Sequence, residues 1–282
     1  MPVSPSSSVQ EAHKAVATRL GHLRRDAGLT GRELAIRCGW HPAKASRIEN
    51  ARTRPSDADI GAWCRACGAE DQIADLIAAS RTADSMYREW RHLQGTGLKR
   101  NQTSVVPLYQ RTRHMRVYCS NVVPGLLQTH GYAEALLATI AEFEGTVNDA
   151  TEAATARVER SKVLYDGTKR FALLMEEDVL YFPFGDAETM AGQLGYLLTV
   201  MALPTVSLGV IPRTAPRHMW TLEGFLAFDD AQVQVETLSA NINITAPSEI
   251  RLYLRAFERL SGIAVHGARA RALILDAMAT FG

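Results

Sequence analysis

The chain has 282 residues, of which 46% are hydrophobic and 22% are charged. This length allows two domains of ordinary size, and the composition is typical of a globular protein rather than a disordered or fibrous one. The sequence contains no apolar run of about 18 residues and no signal-peptide pattern, so we expect no membrane association and a cytoplasmic protein.

The net charge of +1 hides an asymmetry between two parts of the chain. Residues 1–116 hold 19 Lys and Arg against 11 Asp and Glu, whereas residues 117–282 hold 12 against 19. Because nucleic acid attracts basic surfaces, this distribution favours a chain that meets DNA with its N-terminal part only, and we expect a nucleoid-associated protein.

Residues 1–10 are predicted to be a disordered tail, and residues 11–80 a small all-α domain. A first helix is expected over 12–27, and Arg24 and Arg25 on its outer side either contact phosphate or face solvent. Further helices are expected over 57–67 and 70–80. With two short helices between residues 29 and 54, these would make a five-helix domain.

The two short helices carry clear signals at their ends. Thr30 followed by Glu33 has the spacing of a capping box. Gly39 can adopt the left-handed backbone that ends a helix, and Pro42 suits the first position of the next helix. This is the arrangement of a helix-turn-helix, whose second helix enters the major groove of DNA.

The second of these helices would turn Ala45 and Ile48 inward and leave polar and basic residues outside. Arg47 is the best candidate for reading a base, because Arg can bond guanine O6 and N7 together. Lys44 could read guanine or hold phosphate, and the residues after the helix should hold phosphate. The full predicted DNA-binding set is Arg32, His41, Pro42, Ala43, Lys44, Ser46, Arg47, Asn50, Arg52, Thr53 and Arg54.

Residues 81–104 are predicted to be a helical connector that includes Trp90. Residues 105–282 are predicted to form a regulatory or partner-binding α+β domain with a small, mainly antiparallel sheet. Strands are expected over 115–120, 170–175, 205–211, 224–228 and 232–238, with a hairpin turn at Asp229 and Asp230. Helices are expected over 105–114, 130–143, 149–165, 186–201, 248–261 and 267–281.

The sequence carries little sign of catalysis. No familiar catalytic or phosphate-binding motif occurs, and the adjacent carboxylates of residues 176–178 cannot flank one bond. Cys64 and Cys67 form a C-x-x-C, but no second pair completes a zinc site, so packing is favoured over a metal or redox role. We therefore expect no enzymatic activity and no cofactor.

The stretch RELAIRCGWHPAKASRIENARTRP resembles the phage-repressor-like, or XRE, family of helix-turn-helix domains. Gly31 and Ala51 depart from the family pattern, which commonly has Gln and Gly at these positions. The resemblance implies that the N-terminal domain binds operator DNA. An ordinary buried helical hairpin is the alternative, but it would have little reason to carry Arg47, Arg52 and Arg54 on one side.

The second half has its own resemblance, carried by VPGLLQT, Tyr132-Ala133, Arg157 with Arg160, Met190 to Leu194, and Val210-Ile211-Pro212. It resembles the uncharacterised domain that follows an XRE reader in actinobacterial, Streptomyces-type regulators, described as Scr1-type, WhiJ-like or antitoxin-like. The resemblance implies transcriptional control without a catalytic role. It also implies a small acidic protein partner of the BldB type.

Two functions follow as hypotheses. The first is a homodimeric, sequence-specific regulator that binds a palindromic operator in double-stranded DNA, with a C-terminal domain that dimerises and senses a small-molecule effector or a small protein. The second is an antitoxin-like protein that sequesters a small co-encoded BldB-like protein, with DNA binding secondary. The segment 213–222 is either a lid, a partner-binding loop or an ordinary surface loop.

Overall fold

The computed structural model describes residues 5–81, 97–237 and 240–281. These residues group into two compact units, one of residues 5–81 with Ile244–Glu249, the other of residues 97–237, 240–243 and 250–281. The predicted connector helix around Trp90 falls in residues 82–96, outside the described residues. Among the described helices, none has the length and apolar character needed to cross a bilayer.

Residues 5–81 of the first unit form helices joined by short turns, as predicted. Its elements are α1 (Pro5–Asp26), α2 (Gly31–Cys38), α3 (Pro42–Glu49), α4 (Asp57–Cys67), a 3-10 turn (Glu70–Gln72) and α5 (residues 73–81). The predicted tail is contradicted at residues 5–10, which lie in α1. Proline is already set to the backbone angle of a first helical turn, so Pro5 is a suitable helix start.

The predicted ends of α2 are confirmed. The backbone N–H of Thr30 donates to Glu33 Oε2 at 2.8 Å, and the N–H of Glu33 donates back to the Thr30 hydroxyl at 3.2 Å. Gly39 has a φ of 68°, the left-handed backbone that ends a helix. These short-range interactions define where the helix before the turn begins and ends.

The core of the first unit is built around Trp63 of α4. Its side chain is fully buried, and its indole N–H donates to the carbonyl of Leu20 in α1 at 2.9 Å. Leu34 of α2, Ile48 of α3 and Ile60 of α4 are also fully buried in the same cluster. Each helix therefore contributes an apolar side to one core, which is the main stabilising contribution for helices this short.

The second unit is longer and mixes helices with strands. Its helices are α6 (Gly97–Ser104), α7 (Val106–Arg111), α8 (His130–Glu144), α9 (Ala150–Ser161), α10 (Ala187–Val200), α11 (Pro247–Ser261) and α12 (Gly267–Met278). Its strands are β1 (His114–Cys119), β2 (Arg170–Glu176), β3 (Val206–Ile211), β4 (Phe225–Phe228), β5 (Gln232–Thr237), β6 (Ala240–Ile244) and β7 (Val265–His266).

Helix α6 belongs to this second unit and not to the connector in which it was predicted. The carboxylate of Asp149 accepts hydrogen bonds from the backbone N–H groups of Leu98 and Lys99, at 2.8 and 3.0 Å. Gly97 has a φ of 63°, and a Cβ there would lie 2.7 Å from Asp149 Oδ2. Glycine is thus required where α6 approaches the carboxylate that caps it.

The strands form one sheet of seven, in the order β6-β5-β4-β1-β2-β3-β7. β2 is parallel to both β1 and β3, whereas β4 and β7 are antiparallel neighbours of β1 and β3. The prediction of a small, mainly antiparallel sheet is therefore wrong, since the sheet is larger and mixed. Helices α8 and α9 connect β1 to β2, and α10 connects β2 to β3; such long crossovers bring the chain back in the parallel direction.

The sheet carries helices on both faces. On one face, Val117 of β1 belongs to a buried cluster with Leu194 of α10 and Ile274 of α12. On the other face, the Phe225 ring packs edge-on against Tyr253 and Phe257 of α11, with ring centroids 5.1 and 6.4 Å apart. This alternation follows the two-residue period of a strand.

A network of buried amides holds residues 123–129, the VPGLLQT turn, against α10. The side chain of Gln193, fully buried, accepts from the N–H of Thr129 and donates to the carbonyl of Leu127, both at 2.7 Å. Within the turn, Gln128 Nε2 donates to the carbonyl of Val123 at 2.7 Å. Backbone groups that no helix or strand satisfies are thus paired by side chains.

Replacing Gln193 by methionine tests this pairing, because the apolar side chain fills a similar space but bonds neither Thr129 nor Leu127. Two buried backbone groups would lose their partners, and we expect the free energy of unfolding of the second unit to fall by roughly 2–4 kcal/mol. Hydrogen exchange of the turn and α10, with chemical denaturation, measures the loss. The matched control is Gln110→Met, at an exposed position of α7; an equal, small effect of both would contradict the pairing.

Candidate nucleic-acid interface

Helix α3 buries one side and exposes the other. Ala45 and Ile48 are fully buried, as predicted, while Ser46 and Arg47 between them are exposed. His41 caps the start of the helix, accepting a hydrogen bond from the N–H of Ala43 through Nδ1 at 3.3 Å. An imidazole that accepts through Nδ1 carries its proton on Nε2, which is left to donate outward.

Most of the predicted DNA-binding residues share one property, which is exposure to solvent. The exposed members are Arg32, His41, Pro42, Ala43, Ser46, Arg47, Asn50, Arg52, Thr53 and Arg54. Within the part of the chain that the structure describes, no group accepts a hydrogen bond from the Arg47 guanidinium. Asn50, by contrast, already donates to the Ser46 carbonyl at 2.8 Å and so caps the end of the helix.

The segment after α3 is folded back onto the helix. The N–H groups of Arg52 and Thr53 donate to the Arg47 carbonyl at 2.8 and 3.2 Å. This turn requires a φ of 54° at Ala51, a backbone conformation that glycine adopts more easily. The turn holds the backbone of Arg52 and Thr53 beside the C-terminal end of α3.

Lys44 is positioned differently from its neighbours. Its ammonium group lies 2.5 Å from Asp59 Oδ1 of α4 and 4.4 Å from the centre of the Trp40 ring. Burial alone would raise the pKa of Asp59, but hydrogen bonds from Lys44 and Ser56 hold that pKa below its usual value. In this arrangement Lys44 joins α3 to α4, and reading a base would require it to leave Asp59.

A second ion pair fixes α3 at its other end. Arg24 of α1 donates from Nε and Nη2 to the two oxygens of Glu49, at 3.0 and 2.6 Å. Its Nη1 donates to the carbonyl of Leu29 at 2.5 Å. The hydrogen bond to Glu49 is the main cause that raises the pKa of Arg24. A Cβ at Gly21 would lie 2.9 Å from the Glu49 carboxylate, so the small residue makes room for the pair.

Arg24 therefore has a structural role, which the sequence interpretation left undecided between phosphate and solvent. The partners are 25 residues apart, so no local pattern identifies them. The one available signal is a glycine in the middle of α1, where it lowers helix propensity and so indicates a close approach. Arg25 next to it is exposed and donates to the Gly21 carbonyl at 3.1 Å.

The cysteines of the first unit are packing residues in this structure. Cys64 is buried, Cys38 and Cys67 are partly buried, and all three are free thiols. Burial raises the pKa of Cys64 and of Cys67 to about 11, so neither is a reactive thiolate at neutral pH. Among the described residues, no three His, Cys, Asp or Glu side chains are arranged to hold a metal ion.

Two families of known proteins match separate parts of the chain. Residues 15–76 match the family described as a helix-turn-helix domain, and residues 102–276 match the family described as a domain of unknown function, DUF5753. No curated protein and no solved structure matches the chain. The chain belongs to the DUF5753 family and carries a helix-turn-helix DNA-binding domain ahead of the domain that defines that family.

Proposed function

We propose that this protein is a sequence-specific transcriptional regulator that reads DNA with the outer side of α3. The observation that carries the proposal is a contrast within α3. Ala45 and Ile48 are fully buried, whereas Arg47 is exposed and its guanidinium has no partner among the described residues. A helix of eight residues is about 12 Å long and can lie in the major groove, itself about 12 Å wide.

The exposed residues divide into base-reading and phosphate-binding groups. Arg47 reads guanine, and Pro42 and Ala43 at the start of α3 contact the methyl group of thymine. Arg32, Arg52, Thr53 and Arg54 contact phosphates and set the register of the domain on the duplex. Lys44 acts mainly by positioning α3, because Asp59 holds its ammonium group.

We further propose a homodimer on a palindromic operator, because a single small module buries little surface on DNA and binds weakly. The second unit provides the dimer contact and senses an effector, and catalysis has no part in this function. By the resemblance of both halves, the protein would belong to the actinobacterial, Streptomyces-type regulators.

Replacing Arg47 by alanine tests the base-reading role. We expect specific binding to weaken by roughly 1–3 kcal/mol and the preference at one base pair of each half-site to relax. Selection of bound sequences from a random pool measures both effects, and a two-fold symmetric site is expected from the wild type. Equal weakening on specific and random DNA would contradict base reading by Arg47.

Arg52→Ala is the matched comparison, since Arg52 is also exposed but lies beyond the helix. Because a phosphate contact releases a counterion whatever the sequence, we expect weaker binding to all duplexes and a salt slope reduced by about one. Affinity measured across a salt series gives this slope. A relaxed base preference with an unchanged slope would reverse the roles assigned to Arg47 and Arg52.

A protein partner is the second candidate function, and the loop of residues 212–224 favours it. Arg217 donates to both oxygens of the buried Glu176 at 3.0 and 2.7 Å, and Arg213 forms an ion pair with Asp178. The loop so held contains Trp220, whose side chain is 70% exposed. Exposed aromatic residues are typical anchors of protein interfaces.

In this second function the protein sequesters a small acidic, BldB-like protein, and DNA binding is secondary. The two functions separate with Trp220→Ala in the full chain. If the partner binds this loop, the variant loses a co-purified small protein encoded beside it and keeps its affinity for DNA. Unchanged capture of that protein would exclude the loop as its binding site.

A further inference from the structure

Two arginines of α9 converge on a neutral oxygen in the second unit. Arg157 Nε and Arg160 Nη1 both donate to Gln102 Oε1 of α6, each at 3.1 Å. Arg157 Nη1 also donates to Gln128 Oε1 at 2.5 Å. Among the described residues, no carboxylate forms an ion pair with either guanidinium.

Two like charges in this setting are unfavourable unless an anion compensates them. Burial, and then the charge of Arg160, lower the pKa of Arg157 to about 10. Arg160 Nε is buried without any hydrogen-bond partner in the part of the chain described. Glu236 of β5 attracts Arg157 electrostatically but makes no ion pair with it. The free carbonyls at the C-terminal end of α9 supply a further partial negative charge. Donors therefore remain in excess over acceptors.

Arg160 lines an open groove of about 680 Å³ between α9 and helices α6 and α7. The groove has apolar sides formed by Val106, Tyr109, Ala156 and Val163. Cζ of Arg160 lies 4.7 Å from the centre of the Tyr109 ring, so the aromatic face orients the guanidinium.

Three carboxylates, those of Glu152, Glu159 and Asp166, also line the groove, and lysines partly neutralise the last two. Glu159 lies 2.6 Å from Lys162 Nζ, and Asp166 lies 3.9 Å from Lys169 Nζ. Arg160 and Lys99, which also lines the groove, have no carboxylate partner among the described residues, so a bound anion can neutralise them. A groove that combines apolar walls, a charged rim and an oriented guanidinium can bind a small molecule that has both apolar and charged parts.

We infer that this groove binds an organic anion with an apolar body, whose carboxylate or phosphate head group bonds to Arg160 beside Gln102. Planar guanidinium groups bind both kinds of head group through paired hydrogen bonds. The inference names the chemical class of the effector in the proposed function, and it rests on that function only for the consequence on DNA.

Calorimetry and thermal unfolding of the full chain test binding with four probes: octanoate, octyl phosphate, octanamide and inorganic phosphate. Octanoate or octyl phosphate is expected to bind at least about ten times more tightly than octanamide, because octanamide has the same apolar body but no charge. The better of the two identifies the head group. Inorganic phosphate is expected to bind more weakly than octyl phosphate, because it lacks the apolar body.

Arg160→Gln should weaken binding of the better anion at least tenfold, and Arg271→Gln, on the exposed side of α12, should leave it unchanged. Gln102→Glu is the complementary variant, because it places a carboxylate between the two arginines. It is expected to raise the melting temperature without ligand and to remove the anion-dependent increase. Because this variant adds an ion pair, it remains informative even if Arg160→Gln does not fold.

The inference is overturned if neither anion binds more tightly than octanamide, or if Gln102→Glu binds the anion as well as the wild type does. DNA affinity, measured with and without the anion, separates this result from the proposed function. Anion binding with no change in DNA affinity would leave the site standing and remove the sensing role. A loss of all DNA binding in the wild type would contradict the proposed function but not the site.

Discussion

The position of α3 depends on two ion pairs, one near each of its ends. A helix of eight residues is not stable alone, so its orientation must come from its neighbours. Lys44 joins it to Asp59 of α4, and Glu49 joins it to Arg24 of α1. With Ala45 and Ile48 buried between these pairs, the remaining side of α3 faces solvent, and Arg47 is on that side. The reading of DNA proposed for this protein follows from this fixed presentation.

In the second unit, buried side-chain amides pair the polar backbone groups of an irregular turn. Gln193 pairs two backbone groups of the VPGLLQT turn, and Gln128 joins that turn to Arg157. Three of the stretches that carried the sequence resemblance, namely the turn, Arg157 and Gln193, are therefore neighbours in space. The same network leaves Arg157 and Arg160 with a shared neutral acceptor, Gln102, and this charge imbalance is the basis for the anion site.

Local signals predicted much of the fold and of the candidate site. The capping box at Thr30, the glycine stop and the proline start each act within a few residues, so the sequence shows them directly. The Arg24–Glu49 pair could not be predicted, because it depends on how α1 packs against α3. The mixed sheet was not predicted, although the spacing of the strands indicated it. The long segment between β1 and β2, which holds α8 and α9, is typical of a crossover between parallel strands. Strand β7 has two residues, too few for any periodic pattern.

The central claim is that the outer side of α3 contacts base edges in the major groove. The most direct test is a nuclear magnetic resonance titration of the isotopically labelled full chain with a duplex that carries its selected site. The account predicts that the largest amide shifts, together with contacts to base protons, fall between His41 and Arg54. Shifts confined to other helices, with α3 unchanged at saturating DNA, would contradict it.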